Sequence, residues 1–269
     1  MKELKETVKF LKKQYQIEPT IGIVLGSGLG NFVNEIEVEK EIEYKDIPNF
    51  PLSTVEGHKS KLVFGKLSGK TVVAMAGRFH FYEGHKSNEV IFPIRVMKLL
   101  GVQTLLLSNA AGTVNADFKV GDLMIINDHI SFFTPNPLIG KNIKELGPRF
   151  PAMTEPYKKS LIQKAKAIAI AHNFDIKEGV YIAVTGPTFE TKAEYELIKI
   201  IGGDVVGMST VQETIVANHM GMDVFAMSVV TDLGFGRHDV AITHEEVLNA
   251  AREAEPKMAT IFKELVAAI

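Results

Sequence analysis

The run Thr20-Ile21-Gly22-Ile23-Val24-Leu25, followed at once by the turn Gly26-Ser27-Gly28-Leu29-Gly30, decides the fold class of this sequence. A nearly continuous apolar run that stops at glycines is typical of a strand buried on both faces of a sheet. Such strands occur where helices cover both faces of the sheet. The stretch therefore predicts an α/β fold.

Similar apolar runs recur along the chain, with helical patterns between many of them. They predict strands at 61–64, 71–75, 103–107, 122–126, 179–184, 204–207 and 223–230. The sequence Leu67-Ser68-Gly69-Lys70 predicts a tight turn between two antiparallel neighbours. Together these patterns predict a central mixed β-sheet flanked by helices. We expect residues 1–269 to form a single domain, because one α/β domain often reaches this length.

Spacings typical of a capping box, in which a threonine is followed three residues later by a glutamate, predict three helix starts. The pairs are Thr191 with Glu194, Thr210 with Glu213, and Thr243 with Glu246. An earlier amphipathic helix is indicated by Leu4, Val8 and Leu11, and it should end before Pro19.

The composition limits the kinds of partner that the protein can have. Its 30 basic and 32 acidic side chains nearly balance, so we expect no nucleic-acid partner. The sequence contains no apolar run of membrane-spanning length, and its first residues lack the apolar core of a signal peptide, so we expect a cytoplasmic protein with no membrane partner. The absence of cysteine excludes thiolate metal sites and cysteine nucleophiles.

The glycine turn after the first strand has three interpretations. Its backbone N–H groups and the Ser27 hydroxyl suit an oxyanion, and phosphate is the leading candidate. The turn is also compatible with an ordinary strand exit or with dinucleotide binding. The dinucleotide interpretation fits poorly, because Asn31 stands where the G-x-G-x-x-G fingerprint needs its last glycine.

Polar residues follow the strand predicted at 71–75. Alternation along an extended chain would put Arg78, His80 and Tyr82 on one face, as either a ligand-binding face or the solvated face of an edge strand. The guanidinium of Arg78 matches the geometry of phosphate. Because open α/β sheets bind ligands beyond the carboxyl ends of their strands, we expect these groups in one cleft with four other residues. These are Ser27, Asn109, Ser209 and Asp232.

Eight segments, taken in order across almost the whole chain, closely resemble the trimeric purine nucleoside phosphorylases. They are GSGLG, VEGHKSKLVFG, GRFHFYEGH, NAAG, RFPAM, GPTFET, VVGMSTVQE and THEEV. The resemblance implies a phosphorylase/hydrolase-like α/β fold, a homotrimer with sites at subunit borders, and no metal or organic cofactor. Inorganic phosphate would be a co-substrate of a purine nucleoside.

The same resemblance implies a role for individual residues. Phosphate would be bound by Ser27, His58, Arg78, His80, Asn109, Ala110 and Ser209. Ribose would be bound by Tyr82, Met208 and His244, with Phe150 reaching in from a neighbouring subunit. The purine would be bordered by Ala110, Ala111, Gly112, Phe189, Glu190, Val206, Thr231 and Asp232. Among these residues, His80, Glu190 and Asp232 would be catalytic.

The expected reaction is attack of phosphate on C1′ of a purine ribonucleoside or deoxyribonucleoside, which gives the free base and (deoxy)ribose 1-phosphate. Inosine and guanosine are the default substrates. Asp232 departs from the family pattern, because 6-oxopurine-specific members carry asparagine there, so adenosine or methylthioadenosine stays open. A non-catalytic purine- or nucleotide-binding regulator and a dehydrogenase are the alternatives from other classes.

Overall fold

The structure, a computed structural model, describes residues 1–54, 59–235 and 242–269. Within these ranges the strands are β1 (Ile21–Val24), β2 (Glu37–Glu43), β3 (Lys61–Leu67), β4 (Lys70–Ala76), β5 (Thr104–Thr113), β6 (Leu123–Ile130), β7 (Ile176–Ala183), β8 (Val205–Gly207) and β9 (Asp223–Leu233). The α-helices are α1 (Lys2–Gln14), α2 (Ser87–Val90), α3 (Phe92–Leu100), α4 (Lys159–Ala171), α5 (Lys192–Ile200), α6 (Val211–His219) and α7 (His244–Ala268). Short 3-10 helices span Gly30–Glu35, Tyr44–Asp46 and Phe81–Glu83.

The strands form one mixed sheet in the order β2-β3-β4-β1-β5-β8-β7-β6-β9. Strand β1 lies parallel to both β4 and β5, whereas β3 is antiparallel to β2 and β4. Strand β9 pairs with β6 and also with β5, so β5, β8, β7, β6 and β9 close into a ring. The predicted α/β fold with a central mixed sheet is confirmed.

The apolar run that suggested the fold class lies inside this sheet. All four residues of β1 are buried, because β4 and β5 cover its edges and helices cover the sheet. The predicted turn before Lys70 is confirmed as well. Ser68 and Gly69 have φ values of 49° and 76°, the left-handed conformations that tight antiparallel hairpins require.

Some sequence-based boundaries were wrong. Strand β2 was missed, because it is mostly exposed and carries glutamates instead of apolar residues. Strands β5 and β9 extend beyond their predicted ends to Thr113 and Leu233. Asn109 and Asp232 therefore lie within strands and do not follow them. Both strands end in small and polar residues, so the search for apolar runs did not detect these strand ends.

Two of the three predicted helix caps are confirmed, since Thr191 and Thr243 accept hydrogen bonds from the backbone N–H groups of their glutamate partners, at 3.3 and 3.2 Å. The Thr210 cap was wrong. Thr210 has a φ of 70° and its side chain caps no helical N–H, although α6 does begin after it. Within the described residues, no helix is both long and apolar enough to span a membrane.

Candidate active site

A cavity of about 570 Å³ opens where the strand ends meet. It is lined by Gly26, Ser27, Thr54, Arg78, His80, Tyr82, Glu83, Asn109, Ala110, Ala111, Gly112, Pro187, Phe189, Glu190, Val206, Gly207, Met208, Ser209, Thr231, Asp232, His244 and Val247. The structure thus brings together all but two of the predicted site residues. His58 lies outside the described residues, and Phe150 lies elsewhere on the surface.

Glycines of the turn after β1 allow other parts of the chain to pack closely against it, and Ser27 of the same turn lines the cavity. A Cβ on Gly26 would lie 2.8 Å from the Cα of Asn109, so glycine permits the close approach of β5. Gly28 has a φ of 76°, and a Cβ there would lie 2.7 Å from that of Ala251. The turn leads into a 3-10 helix and then β2, so it lacks the strand–turn–helix arrangement of dinucleotide sites.

Arg78 is a deeply buried charged group at the cavity. Its side chain is 1% exposed and its Nε donates to Oε1 of Glu213 at 3.0 Å. Its Nη1 donates to the carbonyl of Ser108 at 2.7 Å and to Oγ of Ser209 at 3.1 Å. Nη2 is buried and has no hydrogen-bond partner among the residues that the structure describes. Because an unsatisfied buried donor is costly, this nitrogen is suited to an anion in the cavity.

Arg78, His80 and Tyr82 line the cavity together, but the predicted reason was wrong. Strand β4 ends at Ala76, and Tyr82 lies in a 3-10 helix, so strand alternation does not align the three residues. The rings of His80 and Tyr82 stack with centroids 4.7 Å apart. The edge-strand alternative is also wrong, because Arg78 and His80 are buried.

Glu83 organises this part of the cavity and was missed in the sequence. Its Oε1 accepts from Nδ1 of His80 at 3.1 Å, and its Oε2 accepts from the backbone N–H and hydroxyl of Thr54. Burial raises the pKa of Glu83, but these hydrogen bonds outweigh burial and lower it to about 2. Burial lowers the pKa of His80, while Glu83 opposes that shift. The His80-x-x-Glu83 spacing was the available sequence signal, whereas Thr54 had none.

Asn109 and Ser209 meet beside Arg78. Nδ2 of Asn109 donates to Oγ1 of Thr210 at 2.9 Å, while its Oδ1 is buried with no partner in the described part of the chain. The backbone N–H of Ser209 donates to the hydroxyl of Tyr181 at 3.3 Å. The segment before α6 thus orients a serine hydroxyl toward the arginine.

Two carboxyl groups stand at another part of the cavity. Burial raises the pKa of Glu190, and the charge of Asp232 raises it further. Oδ1 of Asp232 accepts from the hydroxyl of Thr231 at 2.9 Å. The register of β5 and β9 shifts after Ala111 and places Asp232 opposite Gly112. A Cβ on Gly112 would lie 2.4 Å from Oδ2 of Asp232, so only glycine leaves room for this carboxylate.

The remaining cavity wall is less polar. Met208 and His244 also line the cavity, and burial raises the pKa of Tyr82 to about 12. Phe150 is 87% exposed and lines a separate surface depression with Phe132 and Arg149. Among the described residues, no cluster of three or more His, Asp or Glu side chains could hold a metal ion.

The fold and the cavity define an α/β protein with a small-molecule cavity that has a buried arginine in one part and two carboxyl groups in another. The sequence profile of the phosphorylase superfamily matches residues 20–267. The chain belongs to this superfamily.

Individual relatives show which members of the superfamily this chain is similar to. Purine nucleoside phosphorylase 1 of Geobacillus stearothermophilus is 50% identical over 98% of this chain and 96% of its own length. The purine nucleoside phosphorylase of Bos taurus is 43% identical over 99% of this chain and 95% of its own. Isoform 2 of the Schistosoma mansoni enzyme, solved with cytosine and ribose-1-phosphate, superposes with a TM-score of 0.95 at 42% identity, covering 100% of this chain and 96% of that one. The resemblance seen in the motifs is confirmed, as is the fold that it implied.

Proposed function

We propose that this protein is a purine nucleoside phosphorylase, which cleaves the N-glycosidic bond of purine (deoxy)ribonucleosides with inorganic phosphate as co-substrate. The observation that carries the proposal is the buried guanidinium of Arg78, with one donor unpartnered in a cavity that also contains two carboxyl groups. Nucleoside phosphorolysis requires a cation that binds the attacking phosphate and hydrogen-bond acceptors that bind the purine.

Phosphate would bind at the end of the cavity formed by Ser27, Arg78, His80, Asn109 and Ser209, with the backbone of Ala110. Glu213 holds Nε of Arg78, and this fixes the direction in which Nη2 donates. Glu83 keeps the His80 ring oriented through Nδ1. No protein nucleophile is needed, because phosphate itself attacks C1′ and the protein supplies position and electrostatic stabilisation.

Ribose would lie between these residues and the base, against Tyr82, Met208 and His244. Positive charge develops on the sugar as the bond breaks, so the neighbouring phosphate dianion stabilises the transition state. We further propose a homotrimer in which Phe150 of one subunit covers the ribose of the next. The exposed position of this phenylalanine supports the proposal, because Phe150 (87% exposed) shares a surface depression with Phe132 (89%) and Ile139 (80%), and a contiguous exposed apolar patch marks an interaction site.

The purine would occupy the carboxylate end, bordered by Phe189, Glu190, Val206 and Asp232. The raised pKa of Glu190 favours a carboxyl group whose charge state responds to the bound base. An ionised Asp232 can accept from a 6-amino group but cannot donate to a 6-oxo group. One relative from Schistosoma mansoni, 40% identical, was solved in complex with adenosine, which supports adenosine as an additional substrate here.

The test is a phosphate-dependent assay with inosine, guanosine, adenosine and methylthioadenosine, made on the unsubstituted protein and on Asp232→Asn. Reversing the polarity of one buried hydrogen bond is worth about 1 to 3 kcal/mol, so the ratio of kcat/KM for inosine to that for adenosine should rise roughly 5- to 150-fold. Asp223→Asn, an exposed carboxylate at the other end of β9, is the matched control. An unchanged ratio would show that Asp232 does not select the base, and purine binding without cleavage would favour a regulator.

A further inference from the structure

A second cavity, of about 510 Å³, lies between α3, the end of α6 and the loop that includes Pro135 and Leu146. Arg95 of α3 and His219 of α6 line it, and neither residue belongs to the active site. Arg149 stabilises the loop by donating hydrogen bonds to the carbonyls of Leu138 and Gly140. We call this space the Arg95 cavity.

Arg95 is a partly buried cation without a counter-charge. Its guanidinium makes no hydrogen bond or ion pair with any residue that the structure describes, and its Nε is fully buried. Burial lowers the pKa of this side chain, the direction expected for a charge held partly away from water. This differs from Arg78, whose buried charge is compensated by Glu213. An anion that enters the cavity would compensate the charge of Arg95.

His219 supplies a second unpartnered group at the same wall. The residue is 5% exposed, and its Nε2 donates to the carbonyl of Pro148 at 3.0 Å. Gly147 allows this contact, because a Cβ there would lie 2.1 Å from the His219 carbonyl oxygen. With its proton on Nε2, the neutral ring has an acceptor at Nδ1, and that atom is buried with no partner within residues 1–54, 59–235 and 242–269. His219 therefore brings a buried acceptor to the cavity wall that also carries the Arg95 cation.

The charges around the cavity favour a dianion over a carboxylate. Arg95 and the exposed Lys141 are cations, and no aspartate or glutamate is among the described residues that line it. The carboxyl end of α6 contributes only about half a negative charge. The volume lies within the range of about 300 to 1,000 Å³ that is usual for small-molecule sites, and it exceeds what a bare ion fills.

We propose that the Arg95 cavity is a second binding site, which takes the phosphate group of a small phosphorylated polyol or of inorganic phosphate. Arg95 pairs with the phosphate oxygens, and His219 accepts from a hydroxyl group of the ligand. The site is separate from the one at Arg78 and does not depend on the reaction proposed there.

The test is equilibrium binding of glycerol 3-phosphate, and separately of inorganic phosphate, to the unsubstituted protein, Arg95→Gln and Arg252→Gln. Arg252 is an exposed arginine of α7 and controls for the loss of one charge. We expect Arg95→Gln to lose at least tenfold in affinity for one or both probes, while Arg252→Gln binds like the unsubstituted protein. Loss for glycerol 3-phosphate alone identifies a monoester site, and loss of one phosphate equivalent identifies a site for the free ion.

Equal binding of both probes to Arg95→Gln and Arg252→Gln would overturn the proposal. A change in oligomeric mass in Arg95→Gln with unchanged binding would overturn it too, because Arg95 would then pair with a carboxylate of a second copy. If Arg95→Gln does not fold, Lys141→Gln replaces it, with an expected loss of about threefold, and no loss would count against the site. Phosphate that still binds to Arg95→Gln is bound at the active site. Failure of the Arg95 cavity to bind phosphate can therefore be distinguished from failure of the active site.

Discussion

Replacing Arg78 by methionine should reduce both stability and phosphorolysis, and a second substitution separates the two effects. The single change leaves Glu213, whose side chain is 4% exposed, as a buried charge without a partner. Breaking a buried pair in this way costs about 3 to 5 kcal/mol. At roughly 2 to 4 °C per kcal/mol, the midpoint of thermal unfolding should fall by about 6 to 20 °C.

The double variant Arg78→Met/Glu213→Met removes both charges. Two groups then lose the donor Nη1: Oγ of Ser209 keeps its contact with Oγ1 of Thr210 at 3.1 Å, whereas the Ser108 carbonyl, which accepted at 2.7 Å, is left unsatisfied. We expect a cost of about 1 to 3 kcal/mol for that group, so the double variant should be more stable than the single one. Its phosphorolysis should nevertheless stay roughly a hundred- to a thousandfold below that of the unsubstituted protein, because the donor to phosphate is absent.

Thermal unfolding and initial rates at several phosphate concentrations would be measured on both variants, with Arg252→Met as the exposed control. If the double variant recovers activity along with stability, Arg78 serves the fold alone and the assignment to phosphate is refuted. If it recovers stability without activity, the arginine is needed for the reaction.

Three further predictions concern other parts of the site. The hydrogen bond from His80 helps to hold the pKa of Glu83 near 2, below an unfolded value of 4.5. Glu83 therefore stabilises the folded state above pH 4.5, and this contribution is lost as the pH falls toward 2. Acid unfolding of Glu83→Gln, followed by circular dichroism, should depend less on pH in that window than unfolding of the unsubstituted protein, and identical profiles would contradict the network. Gly112→Ala places a methyl group 2.4 Å from Oδ2 of Asp232, so we expect the KM for nucleoside to rise about tenfold or more with little change in the KM for phosphate; equal changes in both constants would be the contrary result. Phe150→Ala should raise the KM for nucleoside, because the ring covers the ribose of a neighbouring subunit in the proposed homotrimer and is 87% exposed within its own chain, so its loss leaves the packing of that chain unchanged; an unchanged KM would remove Phe150 from the proposal.

The buried part of the fold could be predicted from the sequence because its signal is local. A continuous apolar run predicted β1, and the turn residues Ser68 and Gly69 predicted the hairpin, where the structure shows the positive φ values that such a turn requires. Strand β2 could not be predicted, because an exposed edge strand rich in glutamate has no apolar pattern. The single-domain assignment for residues 1–269 stays a prediction.

The site was predicted less completely, because its organising contacts join distant parts of the chain. Glu213 was assigned to a helix cap, and only the packing of α6 against the cavity shows that it pairs with Arg78, 135 residues away. Thr54 reaches Glu83 from a loop without any local motif. The motifs therefore identified which residues meet at the cavity, while the partners that orient those residues became visible only in three dimensions.

The most direct test of the proposed reaction is the initial rate of inosine cleavage as a function of phosphate concentration, with the products identified. We predict a rate that falls to zero without phosphate, saturates as phosphate is added, and yields hypoxanthine and ribose 1-phosphate in equal amounts. Cleavage that continues at the same rate without phosphate, or that yields free ribose, would contradict the assignment of the Arg78 end of the cavity to the attacking phosphate.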